Sequence, residues 1–224
     1  AEGGAVVLGA RRKDEGEATV ARIRAAGGTA SFVPTDVTVE SEVAALVDAA
    51  VREYGRLDGA FNNAGGVHAS GPVQTLDTGA WHDDVAVNLT GVFHALKHEI
   101  PALLAAGGGS VVNNASNLGL VGMPTVAAYV AAKHGVVGLT RAAALELAQS
   151  GVRVNALVTG GVDTPMFRGT MGADPESAAY IASLHPVNRV ATPEEIAGFV
   201  AYLLSAETTF ITGAALAIDG GWTA

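Results

Sequence analysis

The 224-residue sequence has no cysteine, so it cannot form a disulfide, use a thiolate nucleophile or bind a metal through sulfur. That fits a reducing, cytoplasmic setting, and any redox chemistry needs a borrowed cofactor. Positive charge is scarce: 13 Lys and Arg face 22 Asp and Glu, for a formal net charge of −9. A chain of that sign is not expected to bind nucleic acid or an anionic membrane surface non-specifically. Apolar runs such as Gly135 to Leu139 and Val152 to Val158 fall far short of the roughly 18 residues of a membrane span. The sequence opens on Ala1 with no basic, apolar leader, and neither G-x-G-x-x-G nor G-x-x-x-x-G-K-[ST] occurs in it.

What is present describes an ordered, well-filled domain. Hydrophobic residues make up 49% and charged residues 16%, with 29 glycines as punctuation, and the length suits one domain over residues 1–224. Apolar β-rich runs alternate with helical patterns, the signature of a doubly wound α/β fold with a parallel sheet flanked by helices. Strands are expected at Ala5 to Leu8, Ala30 to Val33, Leu57 to Asn62, Ser110 to Asn113, Val152 to Val158 and Ala214 to Ile218. Helices are expected at Lys13 to Ala26, Ser41 to Tyr54, within Asp77 to Leu104, and at Val126 to Gln149. Between Thr164 and Thr192 the periodicity fails, so residues 165–191 are read as an irregular insertion forming a substrate lid. Thr192-Pro193-Glu194-Glu195 restarts regular structure as a capping box.

Tyr129 and Lys133 lie four apart on an expected helix, so both leave the same face and can act on one substrate. Thirteen residues upstream, Ser116 ends a strand; Asn88 lies in the preceding helix, and Asn62-Asn63-Ala64-Gly65 follows another strand at its carboxyl end. That end is where open α/β sheets bind ligands. Tyr129-Val130-Ala131-Ala132-Lys133, Ser116, Asn88, Asn63-Ala64-Gly65, Asp36-Val37 and the ending Ile218-Asp219-Gly220-Gly221-Trp222 together resemble the short-chain dehydrogenase/reductase family, over nearly the whole sequence.

The resemblance implies a Rossmann-like fold and an NAD(P)-dependent interconversion of a small-molecule secondary alcohol and a ketone. In it Tyr129 gives or takes the hydroxyl proton, Lys133 also holds the nicotinamide ribose, Ser116 binds the substrate oxygen and Asn88 supports a water in the proton relay. It also implies that Asn63, Ala64, Gly65, Asp36, Val37, Gly161 and Thr164 contact the cofactor, and that the protein is a homo-oligomer, a dimer or tetramer. A free tyrosine titrates near 10; a cation about 4 Å away is worth roughly 4 kcal/mol, on the order of three pKa units, so Lys133 is expected to bring Tyr129 near 7. At the end of the first strand, where an acidic residue would read the ribose of NAD, stands Gly9-Ala10-Arg11-Arg12. Guanidinium groups suit a phosphate, so NADP(H) is expected over NAD(H), with Arg11 better placed and Arg12 in reserve.

Two departures from the family pattern stand out. Thr159-Gly160 replaces its proline-glycine after a strand, and the first strand with its glycine-rich phosphate turn is absent. That strand belongs between those beginning at Ala5 and Leu57, and its loss leaves a gap of about 9.6 Å that backbone hydrogen bonds cannot cross. The chain is therefore not expected to fold unaided, and residues upstream are expected in the working protein. Otherwise the flanking strands must pair directly or borrow a strand. The competing class is a non-catalytic chain that keeps the fold as a structural or oligomer-forming protein.

Other residues are assigned to structure. Ser116 is not a hydrolase elbow, since Asn114 and Leu118 occupy the positions that need glycine. His94 and His98 have metal-ligand spacing, but Ala95 stands where zinc proteases carry glutamate, so no metal is expected. Asp83-Asp84 reads as a solvated helix face, Trp81 and Trp222 as packing residues, and His134 as structural. Met166, Phe167 and Met171 suggest a partly apolar substrate pocket.

Overall fold

The computed structural model describes residues 3–224. The chain runs β1 (Ala5–Ala10), α1 (Lys13–Ala25), β2 (Thr29–Pro34), α2 (Glu40–Tyr54), β3 (Gly59–Asn62) and α3 (Thr78–Val85). It continues through α4 (Gly91–Ala105), β4 (Gly109–Asn114), α5 (Ala127–Leu147) and β5 (Val152–Thr159). After these come α6 (Pro165–Arg168), α7 (Pro175–Ser183), α8 (Pro193–Leu204) and β6 (Ala215–Ile218). All ladders between the named strands are parallel, and helices cover the sheets, which is the doubly wound α/β architecture read from the alternation.

Strand periodicity explains how one sheet fills two cores. Along β4, Val111 joins the cluster with Val92, Leu96, Val136 and Val137 from α4 and α5, whereas Val112 joins Ile196, Val200 and Leu203 from α8 on the other face. Ala156 and Leu157 of β5 divide in the same way. Strands buried on both faces read as near-continuous apolar runs, as β5 does.

The strands form two sheets, β1-β2 and β3-β4-β5-β6, and no backbone ladder joins β1 to β3. The flanking strands have thus not paired directly. Val6 of β1 is 39% exposed and Phe61 of β3 37%, high values for strands in a helix-covered sheet. Helices bridge the two parts: α2 packs on α4, where Glu40 Oε1 receives Lys97 Nζ at 2.6 Å and faces His98 Nε2 at 3.2 Å. His94 Nδ1 lies 3.0 Å from the Val37 carbonyl, so His94 ties α4 to the loop before α2 and His98 ties it to α2.

The stretch read as irregular contains two helices, α6 and α7. Each begins with a polar cap followed by proline: Thr164 accepts from Phe167 N–H at 3.2 Å, and Asp174 from Ser177 N–H at 2.9 Å. These are the same start signals as the capping box at Thr192, which is present in full. Both helices are too short for an apolar period to show in the sequence.

Candidate active site

Four of the expected residues come from three elements and meet at the carboxyl ends of β3, β4 and β5. Tyr129 and Lys133 project from the first turns of α5. Ser116 begins the turn after β4, and Gly119 lets that turn approach α5 closely: a Cβ there would lie 2.9 Å from the Lys133 carbonyl. Asn88 sits in a π-turn (Ala86–Thr90) that runs α3 into α4. The widened register leaves the Asp84 carbonyl for the Asn88 side chain, whose Nδ2 donates to it at 2.9 Å.

Asn88 also grips the loop after β3, accepting from Gly66 N–H at 3.1 Å and donating to Gly66 O at 2.7 Å. Gly65 has to lack a side chain, since a Cβ would lie 2.8 Å from Asn88 Oδ1 and 3.4 Å from Lys133 Nζ. Asn63 and Ala64 are exposed at the strand end. A polar chain crosses the three strand ends: Thr159 Oγ1 donates to Asn114 Oδ1 at 3.3 Å, and Asn114 Nδ2 donates to Asn63 Oδ1 at 2.7 Å. The threonine that replaces proline thus supplies a hydroxyl that braces the site.

Lys133 is 2% exposed, and its Nζ donates to the Asn114 carbonyl at 2.8 Å. Burial lowers its pKa from the ordinary 10.5 to about 8. Nζ lies 5.4 Å from the centre of the Tyr129 ring. Tyr129 is not pulled toward 7. Burial pushes its phenol up, the Ser116 hydroxyl opposes that, and the Asp84 carboxylate adds to the rise. The expectation fails because the lysine is itself desolvated, bonds a carbonyl, and shares the tyrosine's surroundings with a carboxylate. Ser116 Oγ donates to Asn117 Oδ1 at 3.0 Å, and the buried Asn117 Nδ2 has no partner, an orphaned donor beside the site.

Asp84 is the residue the sequence reading misplaced. Asp83 is solvated as expected, but Asp84 is fully buried, accepting from His68 N–H at 2.8 Å and Ala69 N–H at 3.1 Å. The signal was present: Asp84 lies four residues before Asn88, on its face of the helix.

The remaining candidates lie apart from this cluster. Asp36 holds Thr38 through Thr38 N–H at 2.9 Å and Oγ1 at 2.7 Å, contacts that lower its pKa. The Arg11 charge acts in the same direction, more weakly, and Arg11 follows directly on the end of β1. Arg12 instead pairs with Glu15 at 2.9 Å on the surface. After β5, Gly161 N–H donates to His185 Nε2 at 2.9 Å, and His185 packs edge-on against Trp222 at 4.8 Å. Thr164, in the same loop, caps α6. His134 is exposed, with Nδ1 2.9 Å from the Val130 carbonyl of its own helix.

The nicotinamide end of a dinucleotide fits these residues: a buried ammonium with a neutral carbonyl for a partner suits sugar hydroxyls, and the bare Gly65 lets the loop after β3 close onto Asn88 and Lys133. A family model described as enoyl-(acyl carrier protein) reductase matches residues 1–223. The cis-4-hydroxycyclohexanecarboxylate dehydrogenase of Sinomonas cyclohexanicum is 46% identical over 99% of this chain and 88% of its own. The 2,5-dichloro-2,5-cyclohexadiene-1,4-diol dehydrogenase of Sphingobium indicum is 42% identical over 100% of this chain and 89% of its own. Among solved structures, an actinorhodin polyketide ketoreductase variant with NADPH superposes with a TM-score of 0.91 at 38% identity, covering 97% of this chain and 87% of that one.

Proposed function

Because the chain belongs to the short-chain dehydrogenase/reductase family, we propose that it interconverts a secondary alcohol and a ketone, with Tyr129 as proton donor or acceptor and NADP(H) as the preferred cofactor. The observation that carries this reading is the meeting of Tyr129, Lys133, Ser116 and Asn88 beside the bare Gly65 at the strand ends. When bound, the nicotinamide supplies or accepts the hydride.

The protein's own residues do the rest. Lys133, fixed by the Asn114 carbonyl, offers its remaining ammonium protons to sugar hydroxyls and its charge to a developing phenolate. Ser116 turns its hydroxyl from Asn117 toward the substrate oxygen. Tyr129 moves the proton at that oxygen. Asn88 holds the Gly66 backbone and, in the proposed relay, a water. Asn63, Ala64 and Gly65 would hold the nicotinamide side, with Gly161 and Thr164 from the loop after β5, and Asp36 and Val37 would hold the adenine.

Arg11, directly after β1, supports NADP(H), since a guanidinium there would suit a 2′-phosphate; Arg12 is a poorer candidate because Glu15 already holds it. The relatives that act on six-membered carbocyclic alcohols support a cyclic secondary alcohol as substrate. Met166 and Met171 of the proposed lid, 58% and 47% exposed, fit an apolar ring. Seating one parallel strand between β1 and β3 gives both open edges partners, and the single domain is proposed to work in that form. A cytoplasmic homodimer or homotetramer accords with the lack of cysteine and with the exposed Phe93, Leu145 and Phe210.

The test is Tyr129→Phe assayed with cyclohexanol and NADP+. Cofactor binding should persist while most turnover is lost; unchanged turnover removes Tyr129 from proton transfer.

A further inference from the structure

Asp84 is 0% exposed, and the donors that satisfy it are neutral: His68 N–H at 2.8 Å and Asn88 Nδ2 at 3.4 Å on Oδ1, and Ala69 N–H at 3.1 Å on Oδ2. A carboxylate removed from water without a cation is costly to keep, so its place asks for a reason. Its surroundings supply one. The loop from Gly66 to Ala69 follows directly on Asn63-Ala64-Gly65 and is pinned at one end by Asn88 and at the other by Asp84. Helix α3, which carries Asp84, packs on α5, which carries Tyr129 and Lys133.

We propose that Asp84 is a positioning residue for the alcohol–ketone reaction: its carboxyl group holds residues 66–69 and the Asn88 amide around the site and bears on the proton-transferring phenol across the α3–α5 contact. This rests on the reading of Tyr129 as proton carrier. Tyr129 of α5 feels the Asp84 carboxylate, and the pinned loop brings the His68 backbone onto it. Burial is the main cause that raises the Tyr129 pKa, the Ser116 hydroxyl opposes it, and the Asp84 carboxylate adds to the rise. The buried phenol rests protonated, ready to give its proton to a ketone oxygen, and Asp84 reinforces what burial does.

The test is spectroscopic and needs no turnover. Phenolate absorption is titrated in the parent, Asp84→Asn and Asp84→Thr, each against the same protein carrying Tyr129→Phe, so that the signal of Tyr129 is isolated from the other three tyrosines. The Tyr129 midpoint should fall in both Asp84 variants, and the pH profile of kcat for cyclohexanone reduction with NADPH should move the same way while KM for NADPH stays within about twofold. An unmoved midpoint in either folded variant overturns the proposal. Should both variants fail to fold, amide exchange in the parent decides: slow exchange at His68 and Ala69 supports the pinning, and fast exchange at both overturns it. Full turnover in Tyr129→Phe would instead sink the functional reading, a result the titration does not depend on.

Discussion

Lys133 Nζ lies 5.4 Å from the centre of the Tyr129 ring while donating a 2.8 Å hydrogen bond to the Asn114 carbonyl. The carbonyl fixes the ammonium, so the lysine acts as a held charge whose effect on the phenol depends on its own protonation. With its pKa lowered by burial to about 8, the lysine is cationic below that pH and neutral above it.

Binding of NADPH should therefore weaken as pH rises through about 8, because the ammonium that meets the sugar hydroxyls is lost. Nicotinamide fluorescence titrations on either side of that pH check this. The slope should vanish in Lys133→Met, and the same slope in that variant would assign it to another group.

Thr159 joins Asn114 and through it Asn63. Thr159→Val removes the hydroxyl at nearly constant volume. One hydrogen bond is worth about 0.5–1.5 kcal/mol net, so KM for the cofactor should rise roughly two- to tenfold with a smaller change in kcat. Steady-state kinetics with cyclohexanol measures both, and a fall in kcat alone would contradict a bracing role on the cofactor side.

Much of this was legible in the sequence, and the failures have physical causes. Strand and helix periods placed the six strands and the helices through α5, whereas α8 was marked only by the capping box at its start. Tyr129, Lys133, Ser116 and Asn88 sit together because each follows a strand end or faces inward from a helix, positions that pattern locates well. Asp84 was misplaced because charge argues for solvent and only tertiary contact shows the two backbone N–H groups that meet it. The Tyr129 shift was misjudged because spacing reveals a lysine one turn away but neither its burial nor the opposing carboxylate.

Glu99 is buried, and that pushes its carboxyl up from 4.5 to about 7, opposed by a hydrogen bond from Asn62 Nδ2 at 3.0 Å. Its folded-state pKa is raised, so its contribution to stability is fully present below about 4.5 and is lost as pH rises through about 7. The loss amounts to about 3 kcal/mol at most. Glu99→Gln should lack that decline and outlast the parent in denaturant at pH of about 8, with little difference at about 5. Parallel pH dependence in the two proteins would show that Glu99 does not titrate in this window.

Arg11 bears on cofactor choice. Arg11→Ala should weaken NADPH binding more than NADH binding, whereas Arg12→Ala should alter neither strongly, since Glu15 holds Arg12 on the surface. Fluorescence titration of both cofactors decides it, and an equal loss for the two in Arg11→Ala would sink the phosphate assignment.

The most direct measurement is hydride transfer itself. Cyclohexanol carrying deuterium on its carbinol carbon is incubated with the protein and NADP+, and the reduced cofactor is analysed by mass. Deuterium should appear on the nicotinamide together with cyclohexanone, with most of that transfer lost in Tyr129→Phe. Reduced cofactor without deuterium, or no labelled product from any secondary alcohol with either NADP+ or NAD+, would contradict the account.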